Sequence, residues 1–330
     1  MTHRIGMIGT ATITEEWMCD AFRRHPDVDV VAVLGSDPER TRRFAQNLSI
    51  PAWEVEIDRF LTDHGLDAVY IASTNDKHCH QALAALAGGK HVLCEKPLGM
   101  TVEQVEQMVE AAEAAGLVLA TNHHLRHHAS HQAIRDVVQS GVLGDIMLGR
   151  VSFTALLPDK LARWRMNDPS TGAGVVLDLT VHDIDCLRFW FQQEPVRVSG
   201  FGQALRGNGI LDNVTITWEF SGGAVVICQD SFNVPFGGNA VEFHGRAGSL
   251  LATDVMSQQA GGSVRISDEN GTRKLPLDHR NAYEGVVADF LAATIGQGVP
   301  GCPGRDGLAA LHYALAAQDA ILTGRRIDLC

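Results

Sequence analysis

A doubly wound parallel α/β sheet followed by a largely antiparallel α+β sheet with helices on one face is the fold class this sequence predicts. Three observations predict it. Short apolar strands alternate with helix-compatible segments as far as about residue 122, the pattern of parallel strand–helix–strand units. Beyond that point strand-like runs follow one another with glycine and asparagine between them, as hairpins require. A chain of 330 residues also exceeds what one hydrophobic core comfortably organises. The boundary is expected near Thr121–His124, which gives residues 1–122 and 123–330 as the two domains.

In chain order, Ile5–Gly9 is an apolar strand ending in glycine, and Glu15–Arg24 is compatible with a helix. Val28–Leu34 is the second strand, closed by Gly35-Ser36-Asp37-Pro38, and Glu39–Asn47 the second helix. Ala68–Ser73 and His91–Cys94 are further strands, with a helix at His80–Ala87 between them. Thr101 and Gln104 have capping-box spacing ahead of a strong helix at Val102–Ala115. Val118–Ala120 is one more strand. The second half opens with a helix at Ala133–Ser140, a long strand at Ile146–Ala155, a loop at Pro158–Gly174 and an apolar helix at Val175–Phe191. Strands are then expected at Val196–Leu205, Val214–Phe220, Ala224–Phe232, Ala240–His244 and Val264–Ser267. Two helices, near Tyr283–Ile295 and Gly307–Leu322, close the chain.

Composition narrows the function. The formal charge of −12 supplies no basic stripe to neutralise phosphates, so neither nucleic acid nor an anionic membrane is expected as a partner. No apolar run approaches the roughly 18 residues of a membrane span. Met1-Thr2-His3-Arg4 enters an apolar strand at once, without the core of a secretory signal. The seven cysteines are scattered, with no Cys-x-x-Cys pair, which favours reduced thiols and a cytoplasmic location over a disulfide framework.

A first strand that turns through glycine into a helix presents backbone N–H groups to a pyrophosphate. Here the glycine pattern is degraded: Gly9-Thr10-Ala11-Thr12-Ile13-Thr14 keeps only its first glycine. A plain tight turn would give the same letters, but the position after the opening strand supports a nucleotide site. At the end of the second strand, an NAD-preferring domain carries an acid for the ribose. Gly35-Ser36 with Arg40 stands there instead, a hydroxyl and a guanidinium suited to a 2′-phosphate. Asp37 could turn inward to the ribose, or it could simply cap the following helix. NADP(H) is favoured over NAD(H).

Three groups of residues carry candidate chemistry. Val92-Leu93-Cys94-Glu95-Lys96-Pro97 ends a buried strand with an acid and a base at its carboxyl end, where open α/β sheets bind ligands. Lys96 there is a candidate proton donor or carbonyl polariser, although a surface Glu-Lys pair would read the same way. Asp178 and His182, four apart, share a helix face that Asp185 continues. Such a pair is either an acid–base unit or a satisfied structural contact. The run Asn122–His131 contains five histidines, with His124/His128 and His127/His131 at zinc-ligand spacing if helical. No His-Glu-x-x-His is present, and a hydrated or cleft-lining cluster is preferred to a metal site.

Taken together, the nucleotide turn, Thr74-Asn75-Asp76-Lys77-His78, Glu95-Lys96-Pro97 and Asp178-x-x-x-His182 resemble the glucose–fructose oxidoreductase / inositol dehydrogenase / MocA family over essentially the whole chain. The resemblance implies a Rossmann-type first domain (1–122) and a substrate-binding and oligomerisation domain (123–330). It implies NADP(H) held at Gly9, Thr10, Ala11, Thr12, Ile13 and Thr14, at Gly35, Ser36 and Arg40, at Ser73, Thr74, Asn75 and His78, and at Glu95, Lys96 and Asn122. It further implies substrate between the domains, with Lys96, Asp178 and His182 lining the reacting carbon and Trp164, Arg165, Tyr283 and His123 beside it. Gly35, where the most similar members carry serine, and Ala11 and Thr14 depart from the pattern. The expected activity is hydride transfer from NADPH to a cyclic ketose derivative. His182, oriented by Asp178, is favoured over Lys96 as proton donor, and no metal is required. A sugar or polyol dehydrogenase of the same family, a non-catalytic cofactor-binding regulator and a histidine-cluster metal enzyme are the alternatives. A homo-oligomer built on the second sheet is also expected.

Overall fold

The computed structural model describes residues 2–329. It divides into two compact units, one made of residues up to 124 together with 283–309, the other of 125–282 together with 310–330. The first unit holds the strands β1 His3–Ile8, β2 Val28–Leu34, β3 Ala52–Glu54, β4 Ala68–Ile71, β5 His91–Cys94 and β6 Leu119–Thr121. They form one sheet in the order β3-β2-β1-β4-β5-β6, and every pairing is parallel. The order reverses around β1, and that reversal is where doubly wound sheets open a crevice for ligands. Helices α1 Cys19–Arg24, α2 Pro38–Asn47, α3 Ile57–Asp63, α4 Asn75–Ala87 and α5 Val102–Ala115 connect the strands. The ends of α5 are set by its sequence. Thr101 accepts from the Gln104 N–H, and Gly116 closes the helix at φ 65°.

β3 and α3 were not anticipated. The three residues of β3, Ala52-Trp53-Glu54, are too few to show a period. Residues 283–309, which the sequence reading places in the second domain, belong to the first unit. Tyr283, Val286, Val287, Phe290 and Leu291 of α9 (Ala282–Thr294) join Ile5, Met7, Phe22, Val33 and Tyr70 in one apolar core. Burial of these large side chains fixes the helix to the parallel sheet.

The second unit is built on a nine-stranded sheet. Its strands are β7 Ile146–Thr154, β8 Pro195–Gln203, β9 Asn213–Phe220, β10 Val225–Ser231, β11 Asn239–Gly245, β12 Gly248–Thr253, β13 Ser263–Asp268, β14 Gly271–Lys274 and β15 Ile327–Asp328. The order is β14-β13-β12-β11-β7-β10-β9-β8-β15. Only β7 and β10 run parallel; the other neighbours are antiparallel. β12, β14 and β15 are additions to the expected set.

Helices α6 Ala129–Gln139, α7 Asp159–Arg165 and α8 Val181–Phe191 belong to this unit, and α10 spans Gly304–Thr323. α8 packs on one sheet face, where Phe191 meets Phe220 and Phe243, both at 4.9 Å between ring centroids. On the other face residues alternate outward, and Leu148, Ile227 and Phe201 are 58%, 41% and 83% exposed among threonines and charges. That face is mixed rather than apolar. The expected loop at Pro158–Gly174 contains α7 and a short 3-10 turn, Pro169–Thr171. Its polar composition hid α7, which buries no residue fully. Among the described residues, no helix is long and apolar enough to cross a membrane.

The histidine run does not form one α-helix. His124–His127 is a 3-10 turn, and α6 begins at Ala129. The i,i+4 spacing therefore does not place these pairs on a common α-helical face. His131 is fully buried, with Nε2 at 3.0 Å from the Val255 carbonyl and its ring 5.2 Å from Trp190. Burial lowers His131 to about 3 and His128 to about 4, so both fold as neutral imidazoles. An unfolded chain takes up their protons near pH 6.5, whereas the folded chain resists down to about 4 and about 3. Stability is therefore lost as the pH falls through that window. At roughly one pH unit below the ordinary value the loss is about 1.4 kcal/mol per histidine. Thermal melts between pH 7 and pH 4.5 are expected to show a falling melting temperature, with a smaller fall in His131→Gln.

Candidate active site

The candidate cofactor residues lie along the carboxyl edge of the first sheet. Gly9 follows β1 at φ 104°, and its N–H donates to the Leu34 carbonyl at 2.8 Å. A Cβ at this position would stand 2.7 Å from the backbone of Ala72, so the strand ends themselves require glycine. Beyond it the chain enters a helical turn with one π-type bond, from the Cys19 N–H to the Thr14 carbonyl. Thr14, in the place of the third glycine, is fully buried, and its hydroxyl has no partner among the described residues. Thr10, Ala11, Thr12 and Ile13 are half-buried around this turn.

At the end of β2, Asp37 accepts from the Arg40 N–H at 2.7 Å and caps α2. The inward-turned alternative for Asp37 is thus not the one adopted. The Arg40 guanidinium donates to the Thr10 carbonyl at 2.7 Å, which ties the second turn to the first. Ser36 is exposed beside them. Gly35 has a local cause: a Cβ there would lie 2.0 Å from Thr41 Oγ1. Its departure from serine therefore follows from Thr41, which is fully buried and bonded to the Asp37 carbonyl.

The ends of β4, β5 and β6 are joined by one carboxyl group. Glu95 Oε1 accepts from the Tyr70 hydroxyl and from Asn122 Nδ2, each at 2.6 Å. The Asn122 N–H donates to the Cys94 carbonyl at 2.7 Å. Burial raises the Glu95 carboxyl above its ordinary value, against the two donors and the Lys96 charge, which favour ionisation. Burial and the Glu95 charge push Tyr70 well up, so it remains a donor. His78 joins the next pair of loops. Its Nδ1 lies 2.9 Å from the Pro97 carbonyl and its Nε2 3.2 Å from that of Ser73. Burial lowers His78, and the neutral ring, with one N–H, donates to one of the two carbonyls and rests against the other. Ser73 donates to Gln81, Asn75 is buried in the first turn of α4, and Thr74 stands at its N-cap. Lys96 follows β5 half-buried, with a cis bond to Pro97.

These residues fit a dinucleotide. A glycine turn leads into a helix start, and buried hydroxyls of Thr14 and Thr121 and the Asn122 carbonyl oxygen lack protein partners among the described residues. His123 is buried beside Asn122. Tyr283, expected beside ligand, is fully buried in the first unit, its ring 5.4 Å from Trp17 and stacked on His124 at 4.7 Å.

In the second unit the Asp178 helix is not regular. Val176–Thr180 is a π turn, closed by the Val181 N–H on the Val176 carbonyl, and α8 continues from it. Such turns recur at functional sites. Asp178 Oδ2 accepts from Arg165 Nε at 3.2 Å, and the Arg165 guanidinium lies 4.5 Å over the Trp164 ring. Trp164, Arg165 and Asp178 are thus brought together, and none of them is fully buried. His182, one turn later, is 5% exposed with its ring 6.4 Å from Phe153. Asp185 does not join this group. It forms a buried two-point ion pair with Arg126 at 2.9 and 2.6 Å. Sequence reasoning missed that pair, and it missed Tyr70 as a partner of Glu95. In both cases the partner is remote in the chain.

The two units match known proteins separately and together. Residues 3–123 match the model of an oxidoreductase family with an NAD-binding Rossmann fold, and residues 131–251 match the GFO/IDH/MocA C-terminal domain. Over 329 residues the chain is 38% identical to 1,5-anhydro-D-fructose reductase of Ensifer adhaerens, covering 99% of this chain and 98% of that one. Among solved structures, an aldose-aldose oxidoreductase from Caulobacter crescentus superposes with a TM-score of 0.91 at 22% identity, over 100% of both chains. A 3-ketoreductase from Actinomadura kijaniata, solved with NADP and TDP-benzene, gives 0.86 at 23% identity over 97% of this chain and 98% of that one. At these identities the two superpositions speak to fold. With both of its units matched and the curated reductase spanned almost end to end, the chain belongs to the Gfo/Idh/MocA family of NAD(P)-dependent oxidoreductases.

Proposed function

We propose that this protein reduces a cyclic ketose derivative of the 1,5-anhydro-D-fructose type with NADPH. The observation that carries this reading is the 38% identity to a reductase of that substrate along 99% of the chain. A bound nicotinamide supplies the hydride. The chain's own residues supply orientation and charge. The turn from Gly9 to Thr14, the β2 end with Ser36 and Arg40, the loops at Ser73–His78 and Glu95, and Asn122 hold the dinucleotide. Lys96 and His182 hydrogen-bond the substrate oxygen and stabilise the alkoxide as it forms. His182 delivers the proton. Asp178, four residues earlier and itself bonded to Arg165, orients that ring. Trp164, Arg165 and His123 bind the sugar.

NADP(H) is the cofactor in this reading, because Asp37 is committed to capping α2 and leaves Ser36 and the Arg40 guanidinium at the ribose end. The partially apolar outer face of the second sheet, with Leu148, Ile227 and Phe201 exposed, supports a homo-oligomer of the chain.

Assays with 1,5-anhydro-D-fructose and a panel of sugars and polyols, each with both cofactors, test the reading. NADPH-dependent reduction of the ketose is expected, and Lys96→Met should lower kcat by at least about a hundredfold with cofactor still bound. Oxidation of a polyol with no ketose reduction would overturn the substrate assignment. Near-normal turnover in Lys96→Met would overturn the role of Lys96. Arg40→Ala should raise KM for NADPH roughly tenfold while leaving KM for NADH little changed. Light scattering should give a multiple of the chain mass, and Phe201→Asp should reduce it; a monomer in the wild type would exclude the oligomer.

A further inference from the structure

The reading above leaves two carboxyl groups without a role, and they are among the most deeply buried in the second unit. Asp183 is 0% and Asp230 1% exposed, and Thr180 beside them is also fully buried. Asp183 immediately follows His182 on α8, and Thr180 ends the π turn. Asp230 lies on β10, opposite Phe153 of β7 in the parallel register. The Thr180 hydroxyl donates to Asp230 Oδ2. Asp183 is buried beside Asp230 and Cys228. Cys228, Thr180 and the two carboxyls themselves are the groups that bear on the pair, and Trp218 of β9 lies beside Cys228. Among the described residues no cation is in that set.

Two carboxylates cannot both be ionised in such a place. Burial and the neighbouring Asp230 charge push Asp183 well up, while Asp230, bonded by Thr180, rises only to about 6. Asp183 therefore keeps the proton, and Asp230 accepts from Thr180. An apolar contact would hold a helix on a sheet equally well. What the hydroxyl-to-carboxylate bond adds is direction, since it fixes how the π turn is rotated over β10. The same strand pair carries Phe153, whose ring faces His182.

We propose that the Asp183–Asp230 pair, acting through Thr180, is a positioning device for the π turn that sets the His182 ring and the Asp178 carboxylate for turnover. The proposal rests on the reading of His182 as a group that acts on the substrate oxygen. Asp183, Asp230 and Thr180 are positioning residues and do not touch substrate.

The test compares Thr180→Val, Thr180→Ser and His182→Asn in the full-length protein, with the ketose and NADPH, across pH. Thr180→Val should lower kcat about tenfold, the scale of one buried hydrogen bond, with KM within roughly threefold of wild type. Thr180→Ser, which keeps the donor, should restore it. The Thr180 bond lowers Asp230, so its loss makes the carboxylate easier to protonate. The acid limb of the kcat profile should therefore move up by about half a pH unit or more in Thr180→Val. If that variant does not fold, Thr180→Ala supplies the same comparison. Wild-type kcat and an unmoved acid limb in the valine variant, with His182→Asn inactive, would overturn the positioning role and leave the reading of His182 standing. Full turnover in His182→Asn would overturn that reading instead.

Discussion

The bond pattern around Glu95 is the constraint on which the first unit depends. One carboxylate oxygen, on the residue just past β5, takes donors from Tyr70 near the end of β4 and from Asn122 just past β6. Three adjacent strands of a parallel sheet are thereby stopped at a common level. Without such a tie, each strand end would present its own loop at its own height. The Gly9 N–H on Leu34 does the same for β1 and β2, and His78 holds the following loops together. Lys96 leaves the sheet from a residue whose neighbours on both sides are fixed. A charged amine with several rotatable bonds gains direction mainly from such a base.

The second unit secures its helix differently. Its antiparallel sheet has no common carboxyl edge, so the residues of interest sit on a helix laid across one face. The π turn at Val176–Thr180 inserts an extra residue there. It is braced on one side by Arg165 on Asp178 and on the other by Thr180 on Asp230. The neighbouring Arg126–Asp185 pair is buried and bonded at two points, and removing either partner would strand a charge in the core. The helix that carries His182 is therefore tied by polar bonds at Asp178, Thr180 and Asp185, an arrangement that fixes orientation where an apolar contact would allow sliding.

Much of this was legible in the sequence, and the rest was hidden for physical reasons. Apart from β3, the strands of the first sheet announced themselves as apolar runs because a parallel strand is covered on both faces. α5 was legible to the residue, since Thr101, Gln104 and Gly116 each have one conformational reason to be where they are. β14 was not legible, because all four of its residues are exposed and none is apolar. The zinc-ligand spacing of the histidine pairs was conditional on a helix, and it carries no shared face because His124–His127 is a 3-10 turn. Asp37 and Gly35 read as open questions of ligand preference. In the fold one is a helix cap and the other makes room for Thr41. Glu95 stood out by its motif, but its partners Tyr70 and Asn122 are 25 and 27 residues away. No local pattern links them.

The return of α9 to the first sheet bears on the order in which the chain can acquire structure as it is made. The parallel sheet is spelled out by residue 121, yet its core is completed by side chains from Tyr283 to Leu291. A ribosome releasing this protein from its amino terminus therefore exposes an apolar groove, lined by Met7, Phe22 and their neighbours, throughout synthesis of most of the other unit. The two halves are not independent modules in time, and a gene fragment cut at the apparent boundary would encode a sheet lacking one of its own walls.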